Sequence, residues 1–282
     1  MARLSLEGVH LQFGGVTALA GVSLEVQPGD FLAIIGPNGA GKTSIFNCIS
    51  GIYAPSRGCI RFDGRDITAL RPHRCAHLGI ARTFQNIALF KGMSVLDNIK
   101  IGRHIHLHAG VLASGVYYGR AAREERLHRA VIEREIIDLL ELQDIRHKIV
   151  GTLPYGLQKR VELARALALD PTVLLLDEPT SMLDVGHQQQ VLELVDGLRG
   201  DGRLTVLSTL HDLTAAGQYA QDGQGELSPY AQAMIDALRE PGIEMPKVFR
   251  RISAHVEAAS KGTQIPTVVG NWPGEDLYVS QR

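Results

Sequence analysis

The chain has 282 residues, of which 45% are apolar and 21% are charged. This composition can bury a full hydrophobic core in one large domain or two small ones, which excludes a disordered chain. The formal net charge of −1 gives no overall basic field, so we do not expect a nucleic-acid partner.

The cysteines and the first residues indicate a cytoplasmic protein. Cys48, Cys59 and Cys75 form an odd set without paired spacing, which is not a disulfide framework. The opening MARLSLEGVHLQF lacks the charged and then apolar order of a secretion signal. Apolar runs such as FLAII are far shorter than the roughly 20 residues of a membrane helix. We therefore expect any work at a membrane to depend on partners.

The amino-terminal part predicts strands followed by a strand-turn-helix unit. The segments LSLEGVHLQF, VSLEV and CIRFDG are expected to form antiparallel strands. Between the last two, a buried strand at 31–35 runs into a glycine-rich turn and an apolar-periodic helix that ends near Gly51.

The turn after the buried strand has the spacing of a phosphate-binding loop. Gly36, Gly41, Lys42 and Thr43 match the pattern G-x-x-x-x-G-K-[ST], in which backbone N–H groups surround phosphates. The positive end of the following helix faces the same anion. We expect Lys42 to pair with the β- and γ-phosphates and the Thr43 hydroxyl to bind Mg²⁺. A glycine-rich turn without a ligand is the alternative.

The middle of the chain, from Asn86 to Val150, is helical and charged in character. GRAAREERLHRAVIEREIIDLLEL places apolar residues at helical spacing. We expect a helical subdomain at about 86–165, with its arginine-rich face as solvated surface rather than an RNA site.

A second buried strand, in PTVLLLDEPTSMLD, ends in two acids. Four apolar residues at 173–176 are followed at once by Asp177 and Glu178. Buried carboxylates need a cation or a proton, so we expect Asp177 to hold Mg²⁺ through its water shell. Glu178 would orient or deprotonate the water that attacks the γ-phosphate. A solvated acidic turn is the alternative, and the phosphate-binding loop upstream favours the magnesium site.

These motifs stand in the order seen in the ATP-binding subunits of ABC transporters, which residues 4–219 resemble. The stretch up to about Glu178 is most similar to the branched-chain amino acid importer type. The matching text is LQFGGVTALAGVSLEVQPGDFLAIIGPNGAGKTSIFNCISG, GIARTFQNIALFKGMSVLDNI and GTLPYGLQKRVELARALALDPTVLLLDEP. Residues 179–219 are more similar to the iron-siderophore and cobalamin importers.

The resemblance implies further nucleotide contacts. Phe13 falls where the family places an aromatic ring against adenine, and a strand-core phenylalanine is the alternative. Gln85, in RTFQN, falls at the glutamine that senses Mg²⁺ and the γ-phosphate. The whole loop would contact the nucleotide, namely Gly36, Pro37, Asn38, Gly39, Ala40, Gly41, Lys42, Thr43 and Ser44.

The resemblance also implies that two protomers share each site. YGLQK occupies the signature position, where a loop and a helix end press on ATP held by the opposite protomer. The usual form has a serine and two glycines before the glutamine, and here Tyr155 and Leu157 replace a serine and a glycine. Asp184 matches the loop that couples the two sites, and His211 falls at the histidine that contacts the γ-phosphate. The signature contacts would come from Tyr155, Gly156 and Gln158.

The sequence changes character after about Ala220. The run AQDGQGELSPYAQAMIDALREPGIEMPKVFRRISAHVEAASKGTQIPTVV resembles the carboxyl-terminal part of bacterial caspase-like peptidases. Pro229 and Pro246 each open a predicted helix, so we expect a small α-rich tail and no further strands of the ATPase sheet. No cysteine follows Cys75, so the tail has no thiol nucleophile of its own.

The expected fold class is α/β. We expect a P-loop NTPase fold with a mainly parallel core sheet, amino-terminal antiparallel strands and an inserted helical subdomain. We assign residues 1–219 to an ABC ATP-binding domain and residues 220–282 to a caspase-like carboxyl-terminal fragment.

The expected function is that of an ATP-hydrolysing subunit of an ABC importer for branched-chain amino acids. Lys42, Glu178 and His211 would carry catalysis on ATP, and Mg²⁺ would be held by Thr43, Gln85 and Asp177. The partners would be a second ATPase subunit, identical or not, and a transmembrane permease at the inner face of the cell membrane. Two alternatives stay open: a nonproductive fusion whose truncated sheet leaves an exposed edge, and a caspase-like cysteine peptidase.

Overall fold

The computed structural model describes residues 4–36, 39–106, 120–179, 204–210, 267–271 and 276–281. Their strands form two sheets. The strands are β1 (Leu4–Phe13), β2 (Val16–Val26), β3 (Phe31–Ile35), β4 (Arg57–Phe62), β5 (Arg65–Asp66), β6 (Ile80–Arg82), β7 (Val173–Asp177), β8 (Thr205–Leu210), β9 (Thr267–Asn271) and β10 (Asp276–Gln281).

The first sheet is antiparallel, with four strands in the order β2-β1-β4-β5. Along β1 the buried side chains are Leu4, Leu6, Val9 and Leu11, so the period of two shifts by one residue at Gly8. Gly8 has a φ of 55°, and the register of β1 shifts between Leu6 and Val9, which is a β-bulge. The antiparallel strands predicted near the amino end are confirmed.

The second sheet has six strands in the order β6-β7-β8-β3-β10-β9, of which the first four are parallel. Every residue of β3 and β7 is buried, as expected for parallel strands that are covered on both faces. Since β3 and β7 run in the same direction, the phosphate loop and the acid pair follow at the same edge of the sheet. The predicted α/β class with a mainly parallel core sheet is confirmed.

Helices pack on both faces of the parallel sheet. They are α1 (Lys42–Ile49), α2 (Pro72–His77), α3 (Val95–Gly102), α4 (Arg120–Val131) and α5 (Tyr155–Leu167), with a π-helical segment at Ile132–Ile137 and 3-10 helices at His104–His106, Gln143–Ile145 and Val150–Thr152. Within the part of the chain that the structure describes, no helix has the length and apolar character needed to cross a membrane.

Two apolar clusters meet at β3, whose side chains alternate between them. Leu32 and Ile34 pack with α1 and the antiparallel sheet. Phe31, Ala33 and Ile35 belong to the other cluster, which includes side chains of α3, α5 and the π-helical segment. The strand that precedes the phosphate loop is therefore held by apolar packing on both faces.

The carboxyl-terminal strands β9 and β10 were missed in the sequence analysis. β10 pairs antiparallel with β3, and β9 pairs antiparallel with β10. The expectation that no further strand of the ATPase sheet follows residue 219 is therefore wrong, and β3 has no open edge of the kind expected for a truncated sheet. The predicted tail helices after Pro229 and Pro246 lie outside the described residues.

Candidate functional site

The turn between β3 and α1 has the backbone geometry of a phosphate-binding loop. Gly39 and Gly41 have φ values of 87° and 85°, in the left-handed region that a Cβ disfavours. Gly41 is the N-cap of α1, and no side chain among the described residues caps this helix. The N-terminus of such a helix is a favourable place for an anion. Pro37 and Asn38, predicted to belong to the same loop, lie outside the described residues.

The Lys42 side chain connects the end of the loop to its beginning at Gly36. The side chain is buried, and its Nζ donates a hydrogen bond to the carbonyl of Gly36 over 2.5 Å. Burial lowers the pKa of Lys42, and the carboxylates of Glu178 and Asp177 oppose that shift. Because burial disfavours the charged ammonium, a bound anion such as a phosphate would stabilise the protonated form of Lys42.

The hydroxyl of Thr43 meets the carboxylate of Asp177 beneath the loop. Thr43 Oγ1 donates to Asp177 Oδ1 over 3.4 Å, and Thr209 Oγ1 donates to the same oxygen over 2.9 Å. Thr43 and Ser44 are half-buried in the first turn of α1, and Ala40 is buried just before it. The loop and the end of β7 thus bring together oxygen ligands of the kind that Mg²⁺ prefers.

The second oxygen of Asp177 is held by Arg82, which the sequence analysis missed. Arg82 Nη2 lies 2.8 Å from Asp177 Oδ2, and the two side chains are 6% and 1% exposed. Arg82 Nη1 donates to Asn47 Oδ1 over 2.7 Å and to Ser50 Oγ over 3.2 Å. The guanidinium also lies over the ring of Phe46, 5.7 Å from its centroid. The available signal was an arginine in the otherwise apolar segment GIAR.

Glu178 and Gln85 are in contact. Gln85 Nε2 donates to Glu178 Oε2 over 3.1 Å, and the Glu178 N–H donates to Thr209 Oγ1 over 2.9 Å. Thr209, at the end of β8, therefore contacts both acids of the pair. Glu178 has a φ of 49°, a conformation that costs a non-glycine residue about 1–3 kcal/mol and persists where surrounding contacts maintain it.

A buried ion pair on α5 holds the segment that contains Gln85, and this pair was also missed. Lys159 Nζ donates to the carbonyls of Phe84 and Gln85, each over 3.0 Å, and lies 3.3 Å from Glu162 Oε2. Glu162 Oε1 accepts hydrogen bonds from the N–H groups of Phe84 and Ala88 over 3.3 and 3.4 Å. The signal was a lysine and a glutamate three residues apart among the apolar positions of KRVELARAL.

The predicted signature residues lie in the first turn of α5. Gln158 Nε2 donates to the carbonyl of Leu153 over 2.7 Å. Tyr155 and Gly156 are half-buried, and burial, with a contribution from Glu162, raises the pKa of Tyr155. The helix α5 packs against α3 in the helical part of the chain. The signature residues therefore lie on a different element from the phosphate loop, which connects β3 to α1.

Phe13 lies at the end of β1 with its ring in contact with Tyr53. The two ring centroids are 5.0 Å apart, with the planes at 73°, which is an edge-to-face pair. Phe13 is 46% exposed, so the alternative that it is a strand-core phenylalanine is wrong. Tyr53, which follows α1, was missed because nothing local in GIYAPS indicates that it lies near Phe13.

The resemblance implies that Phe13 contacts adenine; on that expectation, replacing Tyr53 with alanine should weaken ATP binding by about 2- to 10-fold, since an aromatic pair contributes about 0.5–1.5 kcal/mol beyond its buried area. Tyr53→Phe keeps the ring and should bind ATP as the unmodified chain does. Isothermal titration calorimetry of the two variants measures the difference. An unchanged affinity in Tyr53→Ala would show that the ring pair does not support the base.

Besides Pro37 and Asn38, two further predicted site residues lie outside the described residues. They are Asp184, in SMLD, and His211, which directly follows β8. Phe13 at the end of β1 and the signature residues on α5 come from other elements than the residues that meet, which follow β3 and β6, end β7 or begin α1. The structure brings Lys42, Thr43, Gln85, Asp177 and Glu178 together at that edge of the sheet.

Fold and site together define a class of protein. The site has a glycine loop between a strand and a helix, with a lysine at its end and an acid pair at the end of a nearby parallel strand. This is the arrangement of a P-loop nucleoside triphosphatase. A family model described as ABC transporter matches residues 19–181, more than half of the chain. The chain belongs to the ABC transporter family. A model described as Caspase domain matches residues 208–278.

Similar proteins are known from sequence and from structure. The high-affinity branched-chain amino acid transport ATP-binding proteins BraF of Pseudomonas aeruginosa and LivG of Escherichia coli are each 38% identical to this chain, over 74% of it and 82% of the relative. A nucleotide-free ATP-binding cassette from an ABC transporter has a TM-score of 0.66 at 33% identity, covering 78% of this chain and 85% of its own. A dimeric cassette in a post-hydrolysis state, bound to ADP and Pi, has a TM-score of 0.64 at 25% identity, over 76% and 90%.

Proposed function

We propose that this chain hydrolyses ATP to drive an importer of branched-chain amino acids. The observation that carries the ATPase assignment is the meeting of Lys42 and Thr43 with Asp177 and Glu178 at one edge of the parallel sheet. The class of transported molecule rests on BraF and LivG, whose names assign them to branched-chain amino acid transport.

We propose Mg²⁺ as the metal that accompanies ATP. The described oxygens fit a hard cation, because the Thr43 hydroxyl lies 3.4 Å from Oδ1 of the Asp177 carboxylate. Arg82 binds the other carboxylate oxygen, Oδ2, so that Oδ1 faces Thr43. Gln85 would complete the protein ligands. When bound, the metal would neutralise phosphate charge and orient the β- and γ-phosphates.

The side chains around the nucleotide then have distinct tasks. Lys42 would pair with the β- and γ-phosphates, and Phe13 would contact the adenine ring. Glu178 would accept a proton from the attacking water, in a position maintained by Gln85 and by the backbone contact to Thr209. His211 would contact the γ-phosphate.

The proposed active form is a dimer docked on a permease. A second ATPase subunit, identical or not, would contribute Tyr155, Gly156, Gln158 and Asp184 to the ATP that is bound at Lys42. The first turn of α5 has no side-chain cap among the described residues, which favours an anion at that helix end. The dimer would lie at the inner face of the cell membrane, with residues 1–219 as the ATP-binding domain, about 86–165 as its helical subdomain and 220–282 as the caspase-like segment.

The caspase match favours a cysteine peptidase as a second candidate, but the cysteines do not suit that chemistry. The thiolate is the nucleophile in such enzymes. Burial raises the pKa of Cys48 to about 11 and also raises that of Cys75. Partial burial and a hydrogen bond to Glu7 raise the pKa of Cys59. These are all the cysteines of the chain, and none of them lies in the segment at 208–278 that the caspase model matches.

The test of the proposed function is Lys42→Ala. Because hydrogen bonds to charged groups contribute about 1.5–3 kcal/mol, ATP binding should weaken by about 10- to 100-fold, and phosphate release should fall with it. Lys148→Ala, at an exposed lysine, is the matched control and should leave both unchanged. Calorimetry and a phosphate-release assay measure the two effects. Peptide cleavage that survives Lys42→Ala, or ATP binding that does not depend on Lys42, would overturn the proposal.

A further inference from the structure

The tail of the chain contributes a strand directly beside the phosphate loop. β10 pairs antiparallel with β3, and the four partners along β10, from Tyr278 to Gln281, are Ile35, Ile34, Ala33 and Leu32. β9 pairs with the outer side of β10 and also lies near β2 of the antiparallel sheet. The hairpin therefore extends the six-stranded sheet at β3 and approaches the four-stranded antiparallel sheet. Most of it falls within the segment that the caspase model matches.

The backbone of β3 requires a neighbour on the side where β10 lies. On the β8 side, the Val206 N–H donates to the Asp30 carbonyl over 2.9 Å. Since successive residues of a strand point their N–H and C=O groups to opposite sides, Leu32 and Ile34 face β8, and Ala33 and Ile35 face β10. Without β10, these polar groups of a fully buried strand would have no sheet partner, which is costly and promotes pairing with other chains.

The pairing reaches the nucleotide site itself. Ile35, opposite Tyr278, is the last residue before Gly36, and the Gly36 carbonyl accepts the hydrogen bond from Lys42 Nζ. A strand paired on both sides holds the start of the loop in one position. Such preorganisation raises affinity because the loop loses less conformational freedom when a ligand binds.

We propose that the caspase-like tail is a structural part of the nucleotide site, in which β10 completes the sheet at β3 and keeps the phosphate loop in its binding conformation. The nucleotide as ligand rests on the proposed function, whereas the pairing of β10 with β3 does not. The tail thus acts through backbone pairing and needs none of the catalytic residues of a peptidase.

Hydrogen exchange on the full chain without nucleotide tests the pairing. The amides of Ala33 and Ile35 should be protected in the unmodified chain, as should those of Leu32 and Ile34. Ser280→Pro removes the N–H opposite Ala33, and should increase exchange at Ala33 and Ile35 by about tenfold or more while Leu32 and Ile34 stay protected by β8. Ser280→Ala keeps the N–H and should exchange like the unmodified chain.

ATP binding by the same variants tests the consequence for the site. If Ser280→Pro leaves about a tenth of the molecules with the loop in place, apparent affinity falls about tenfold, while Ser280→Ala binds normally. Fast exchange at Ala33 and Ile35 in the unmodified chain, or protection that survives Ser280→Pro, overturns the pairing. Normal ATP affinity in a Ser280→Pro chain that has lost this protection overturns the role of the tail. If neither the variants nor the unmodified chain binds ATP, the result counts against the proposed function instead.

Discussion

Glu178→Gln is expected to lower ATP turnover by about 100- to 10,000-fold, the usual contribution of a general base, without loss of ATP binding. Glutamine has the size of glutamate, and its amide oxygen can still accept the hydrogen bond from Gln85 Nε2. The backbone contact to Thr209 is also unaffected. What the variant lacks is a group that can take a proton from water. Phosphate release gives the turnover, and calorimetry gives the ATP affinity.

Glu141→Gln is the matched control for this variant. Glu141 has a φ of 53°, close to the 49° of Glu178, and its side chain is exposed beside Arg160. The two substitutions therefore change the same chemical group on a similar backbone, once inside and once outside the site. Glu141→Gln should alter neither turnover nor binding. Full turnover in Glu178→Gln would exclude Glu178 as the base, and loss of binding together with turnover would indicate a structural role.

Arg82→Met is expected to lower the free energy of unfolding by about 3–5 kcal/mol, because it removes the ion-pair partner of the buried Asp177 carboxylate. The hydrogen bonds to Asn47 and Ser50, which connect this arginine to α1, are lost as well. Urea unfolding of the nucleotide-free protein measures the change. Arg134→Met, at an exposed arginine paired with Glu135, is the control and should be nearly neutral.

A second substitution separates the charge effect from lost packing. Asp177→Asn removes the charge that Arg82 neutralises, so the double variant Arg82→Met/Asp177→Asn should be less destabilised than the sum of the two single variants. Because the two groups are in direct contact at 2.8 Å, we expect a coupling of about 0.5–3 kcal/mol. Strictly additive effects would show that the ion pair does not connect β6 to β7 energetically.

Local sequence determined the parts of the site that depend on residue spacing. The phosphate loop at 36–44 and the acid pair at 177–178 each require a few residues in a fixed order after an apolar strand, and the structure shows both strands, β3 and β7, fully buried. The meeting of Thr43 with Asp177 could be expected as well, because parallel strands end at the same edge of a sheet.

Tertiary structure decided the contacts that join distant segments. Arg82 meets Asp177 across 95 positions, and Lys159 holds the Gln85 carbonyl across 74 positions. A single arginine or lysine has no local pattern that names its partner, since the partner is set by how β6, β7 and α5 pack. Tyr53 beside Phe13 was hidden for the same reason.

The carboxyl-terminal strands show the limit most clearly. The composition and resemblance of the tail favoured a separate α-rich segment, yet β10 pairs with β3 across more than two hundred positions. A five- or six-residue strand buries too little by itself to be recognised locally, because its stability comes from the neighbour it pairs with. The amino-acid sequence by itself determined the phosphate-binding loop and the acid pair of this protein. Only the tertiary structure decided that β10 pairs with β3 beside that loop.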